Sequence, residues 1–284
     1  MPRFLLLAAI ALAVLAACAP RPVPQAPPPP YPAEARARLL RILDGEWREW
    51  GGRVLDGRAG PVGEAGEGPV AEQDPAAFTK VLAYWSAVGW ADEIARNKRA
   101  FGQGEATACT AAELAAGGRS TLWGCQPWSA AFVSFVLRAT GIDAAEFPPA
   151  AAHWQYVDAL IRQGDQWGAR ATFLAREPDE YAPAPGDIVC ADRSRRPLAS
   201  LAARRAELGT GRPMHCDIVA AVGPGEVVAI GGNVAQAVTA VRYATDAAGR
   251  LRRNTRPWFV VFENRMGRAG LVALDPQLLR QPRT

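Results

Sequence analysis

The second half of the chain is cut into short apolar runs by glycine, and that punctuation constrains the fold more than any other feature. His215-Cys216-Asp217-Ile218-Val219-Ala220-Ala221-Val222 stops at Gly223-Pro224-Gly225, and Glu226-Val227-Val228-Ala229-Ile230 stops at Gly231-Gly232. Runs this short, separated by two or three turn residues, are strands at hairpin spacing rather than helices. Pro185-Gly186 opens a further run, Asp187-Ile188-Val189-Cys190, and the segments 238–243 and 258–262 continue the pattern. Ahead of these strands lie helical patterns. One spans 127–139 and is closed by Gly141; another spans 150–162 and carries His153. Helices followed by hairpin-linked strands predict an α+β domain over residues 108–265, with helices packed on an antiparallel sheet.

A helical extension over 33–107 precedes this domain. Residues 32–53 read as an amphipathic helix ending at Gly51-Gly52, and the glycine-rich 57–68 reads as a loop. Asp74-Pro75 is an N-cap followed by a proline at the first helical position, and a further helical stretch covers 90–100. Residues 266–284 form a C-terminal tail.

The N-terminus has a different character. Arg3 precedes an apolar run, Phe4 to Ala17, which ends Leu15-Ala16-Ala17-Cys18. Small residues before a cut site and a cysteine directly after it resemble the lipobox of bacterial lipoproteins. The resemblance implies that residues 1–17 are a signal peptide, that Cys18 carries lipid, and that the chain is membrane-anchored in the cell envelope. With Ala19 next, a Gram-negative cell would hold it at the outer membrane, facing the periplasm. Residues 18–32 include Pro27-Pro28-Pro29-Pro30, which favours extended polyproline and reads as a stiff tether.

A formal charge of +4, without a basic cluster interleaved with aromatics, argues against nucleic acid as a partner. In an oxidising compartment the cysteines beyond Cys18 are disulfide candidates. Cys190 and Cys216 lie in strand-like segments that can be neighbours, which leaves Cys109 with Cys125 to close a small loop. No spacing resembles a metal site, and no cofactor is implied.

Three phrases form a set: Pro127-Trp128-Ser129-Ala130-Ala131-Phe132-Val133 at a helix start, Pro185-Gly186-Asp187-Ile188-Val189 followed later by His215, and Ile230-Gly231-Gly232-Asn233. Their order resembles the CHAP and NlpC branches of the papain-like amidases and peptidases. It also resembles the bacterial lipoprotein family known as domain of unknown function 2272. The resemblance implies a papain-like fold, a nucleophile position at Ser129, a base at His215 and an orienting residue at Asn233. Asp217, two residues beyond His215 on the same strand face, can replace or support Asn233. Serine stands where those enzymes carry cysteine, so its proton has to pass to a base during attack. Ser129 also reads as a helix-capping or small packing residue, Asn233 as a turn residue, and His153 as a helix-face residue packed on Trp154 or Tyr156. Trp123 and Trp128 flank the helix start as core or sugar-stacking residues. The expectation is an envelope hydrolase acting on peptidoglycan peptides. The rival is a catalytically inactive cell-wall-binding or scaffold lipoprotein that retains the cleft.

Overall fold

A computed structural model describes residues 31–32, 34–60, 71–104, 122–124 and 126–267. The signal segment, Cys18, the tether, Cys109, Cys125 and the tail beyond 267 lie outside the described residues.

Among the described residues, six α-helices pack on a seven-stranded sheet. The helices are α1 (Glu34–Glu49), α2 (Phe78–Ser86), α3 (Ala91–Gly102), α4 (Ser129–Thr140), α5 (His153–Trp167) and the short α6 (Leu201–Arg205). The strands are β1 (Val54–Asp56), β2 (Phe173–Arg176), β3 (Ile188–Asp192), β4 (Met214–Gly223), β5 (Glu226–Val234), β6 (Ala237–Ala244) and β7 (Trp258–Asn264). Their order is β1-β6-β5-β4-β3-β7-β2. Every pairing is antiparallel except that of β1 with β6, so the expected antiparallel sheet is in fact mixed. β1 and β2, of three and four residues, were not anticipated because such short edge strands show too few alternations to register as a period.

Helix α4 is the centre of the fold. Ala130, Ala131, Phe132, Val133, Val136 and Leu137 are all buried, and a helix that is apolar on every side needs cover on every side. Helices α1 and α2 pack on one side of it and strands β4 and β5 on the other. Gly141, at φ 92°, ends it in the left-handed conformation that glycine adopts without strain.

The sheet separates two cores. Cys216, Ile218 and Ala220 of β4 face the helices, whereas Val219 faces a second cluster with Tyr243 and Trp258. Cys190 and Cys216 are directly opposite in the β3–β4 register and form a disulfide, as their strand positions predicted. Pro185-Gly186-Asp187 is a structural corner. The Asp187 carboxylate accepts from the backbone N–H of Ala184 and Asn264 and from the Tyr181 hydroxyl, at 2.8, 2.8 and 2.9 Å.

Candidate functional site

Ser129 is the first residue of α4, preceded by Trp128 at the N-cap. Its hydroxyl does not cap the helix; it lies 2.7 Å from Nε2 of His153. His153 is the first residue of α5, so two helix N-termini meet at one hydrogen bond. On its other side, the Nδ1 of His153 bonds the hydroxyl of Tyr156. The i, i+3 spacing on the first turn of α5 brings the two rings together edge to face, with centroids 5.6 Å apart. The proton order along this chain depends on the tautomer. When Nδ1–H donates to Tyr156, Nε2 keeps its lone pair for the serine proton, which is the arrangement a base requires.

The second histidine stands against the first, with ring centroids 5.3 Å apart. His215, near the start of β4, donates its Nε2–H to Oδ1 of Asp217 at 2.7 Å. Oδ2 of the same carboxylate accepts from the Tyr243 hydroxyl at 2.8 Å and lies 3.8 Å from Nη1 of Arg256. Arg256 in turn donates to the Tyr243 oxygen. The structure therefore joins Ser129 to His153 and His215 to Asp217. Asn233, at φ 55°, sits half-buried in the irregular step of β5 between Gly231 and Val234.

The two glycines before Asn233 are there for close approach. A Cβ on Gly231 would stand 1.9 Å from Oδ1 of Asp217 and 3.1 Å from Nε2 of His215. One on Gly232 would stand 2.5 Å from the Cβ of Phe132 and 2.8 Å from the ring of Trp128. The bare backbone of β5 thus presses the histidine–carboxylate pair on one face and the serine-bearing helix on the other.

Burial is the largest influence on His153 and pushes it well below the ordinary histidine value. The charge of His215 pushes the same way, Asp217 opposes it, and Arg193 and Arg256 add to the lowering. His153 is consequently neutral near pH 7, the form that accepts a proton. Burial by itself would raise the Asp217 carboxyl. The charge and hydrogen bond of His215, together with Arg256 and Tyr243, outweigh burial and hold Asp217 well below the usual carboxylate range.

The floor of the site is aromatic. Trp128 stacks on Trp50 and Tyr84, with centroids 5.2 and 5.4 Å away, and its indole N–H donates to Oε2 of the buried Glu72 at 2.6 Å. The indole N–H of Trp123 donates to the Glu72 carbonyl. Both tryptophans are buried, so they are core residues that fix the helix start. Among the described residues no group of three or more histidine, cysteine, aspartate or glutamate side chains is arranged to hold a metal ion.

From the sequence His153 reads as packing on Trp154 or Tyr156, with the cleft as the other place for it; the structure gives it Tyr156 on one side and Ser129, a contact not foreseen, on the other. The His-x-x-Tyr spacing is a signal, but it does not say what the histidine faces. Tyr243 and Arg256 carry no local signal, because they reach Asp217 only through the sheet.

A model of the family described as "uncharacterized protein conserved in bacteria", domain of unknown function 2272, matches residues 72–264. That span runs from the glutamate beneath Trp128 to the last residue of β7. No curated protein and no solved structure matches the chain.

Proposed function

We propose, for a chain that belongs to the domain of unknown function 2272 family, that it is a serine-dependent amide hydrolase of the cell envelope, acting on peptidoglycan peptides. The observation that carries this reading is the 2.7 Å contact between the Ser129 hydroxyl and His153 Nε2 at the start of a helix. Ser129 Oγ attacks the amide carbon while its proton passes to Nε2 of His153. The oxyanion forms beside the first backbone N–H groups of α4, which have no acceptor within their own helix. The Asp217 carboxylate, held behind His215, lowers the cost of the positive charge that develops on His153. The proton on His153 then goes to the departing amine, and water releases the acyl group. This path makes His153 the base. His215, the base expected from the sequence, becomes the residue that couples it to Asp217.

A serine at a helix start and a histidine at a strand start, on helices packed against a sheet, support the papain-like reading. The peptide substrate and the envelope address rest on the family resemblance and on the lipobox at Cys18. One observation favours the inactive alternative. Ser129, His153 and His215 are only 8%, 5% and 3% exposed, and a buried, mutually hydrogen-bonded cluster also serves simply as a polar core.

A digest of purified peptidoglycan, read by mass spectrometry, separates the two. Fragments released by wild type but not by Ser129→Ala or His153→Ala support the hydrolase. Binding to peptidoglycan that survives Ser129→Ala, with no fragments from any folded form, supports the inactive binder.

A further inference from the structure

We propose that Arg256 is a positioning residue of this site: through the Tyr243 hydroxyl it holds the Asp217 carboxylate, and with it the His215 ring, in the orientation that faces His153. The inference deepens the hydrolase reading and rests on it for its kinetic consequences. Its structural content stands on the cluster itself.

The polarity of the chain of hydrogen bonds is forced at both ends. A guanidinium only donates, so the Tyr243 oxygen accepts from Arg256. An ionised carboxylate only accepts, so the Tyr243 proton points to Asp217 Oδ2. The other oxygen of Asp217 takes Nε2–H of His215.

Arg256 is itself clamped. Its guanidinium lies over the rings of Tyr243 and Trp258, 5.5 and 5.3 Å from their centroids. Those rings meet edge to face at 4.8 Å. Its side chain is 17% exposed, so its charge is little screened by water. At 3.8 Å from Asp217 it acts on the carboxylate by charge, while Tyr243 supplies the hydrogen bond. Gly231 closes the opposite side and leaves the carboxylate no room to turn.

The groups facing the two histidines come from every neighbouring element: Ser129 from α4, Tyr156 from α5, Asp217 from β4, Tyr243 from β6, Arg193 beyond the end of β3 and Arg256 before β7. Arg256 is a positive member of this set. Its removal therefore leaves Asp217 less neutralised and favours protonated imidazole on His153.

The test is an NMR titration of the imidazole resonances in the full chain. The protein has two histidines, so one His153→Gln variant assigns both signals. Arg256→Gln is expected to move the His153 midpoint upward by about half a pH unit, and Arg256→Lys to return it toward wild type. Tyr243→Phe is expected to alter the His215 Nε2 proton signal while the His153 contact to Ser129 persists. An unchanged His153 midpoint in a folded Arg256→Gln protein, or an unchanged His215 Nε2 proton signal in Tyr243→Phe, would overturn the inference.

These readouts need no substrate, so they stand or fall apart from the hydrolase reading. If peptide cleavage is found, the acid limb of the kcat/KM profile of Arg256→Gln is expected to move up in pH by the same amount. An active enzyme whose acid limb does not move contradicts the positioning role alone.

Discussion

Ser129 and His153 each begin a helix, and this shared position governs the behaviour of both. A first-turn residue has backbone N–H groups pointing past it and the positive end of the helix dipole beside it, which suits an attacking oxygen and disfavours a protonated imidazole. Burial acts in the same direction on His153. Its folded value lies below the unfolded value of 6.5. Between the two, the unfolded chain binds a proton that the folded chain does not, so stability falls as pH drops below 6.5 and levels off beneath the folded value. His153→Gln is expected to remove a slope of up to about 1.4 kcal/mol per pH unit in that window, measured by denaturant unfolding at several pH values. Asp187, pushed up to about 6 by burial, acts with the opposite sign between 3.8 and 6. The readout is therefore the difference between wild type and variant, and equal slopes would show that His153 is not held neutral by the fold. At this scale the sequence revealed what lies close along the chain. His215 and Asp217 share a strand face because side chains alternate, and Cys190 and Cys216 met because both sit in adjacent strands. Tyr243 and Arg256 are 26 and 39 positions beyond Asp217 by number, and no local pattern connects them.

Strands β5 and β6 show how an element absorbs strain next to a site. Their hairpin turns at Ala235-Gln236 with φ 50° and 60°, the left-handed pair that a two-residue turn requires and that Asn-Gly usually supplies. The tip is held by neighbours: Arg53 Nη1 donates to the Ala235 carbonyl at 2.9 Å, and the Glu72 N–H donates to the Gln236 carbonyl at 2.7 Å. The exposed Gln236 contributes only its backbone to these contacts. Gln236→Gly is accordingly expected to stabilise the protein by about 1 kcal/mol, visible as a rise of a few degrees in Tm. A fall in Tm would mean that the glutamine side chain does more than the turn geometry implies. The sequence reading ended this strand at Gly231-Gly232, but β5 continues through both glycines to Val234. Gly231-Gly232 is a place where the backbone must pass close to Asp217 and Trp128, and the same residue type signals a turn and a close approach alike.

For the whole molecule, the α+β order was legible because the long helices precede the long strands, with only the three-residue β1 and the five-residue α6 out of that order. The role of the N-terminal helices was not. α1, β1 and α2 contribute to the same core and sheet as the strands, a long-range pairing that composition does not disclose. If the lipobox reading holds, Cys18→Ser is expected to shift the protein from the membrane fraction to the soluble envelope fraction and to abolish incorporation of labelled palmitate. Membrane retention with no label in wild type would contradict it. The proposed nucleophilic character of Ser129, with His153 taking its proton, can be tested without knowing the substrate. Intact-mass analysis after treatment with a fluorophosphonate should show one adduct on Ser129 in the folded wild type, and none in Ser129→Ala or His153→Gln. A folded wild type that takes no adduct, or one whose labelling is unaffected by loss of His153, would contradict the account.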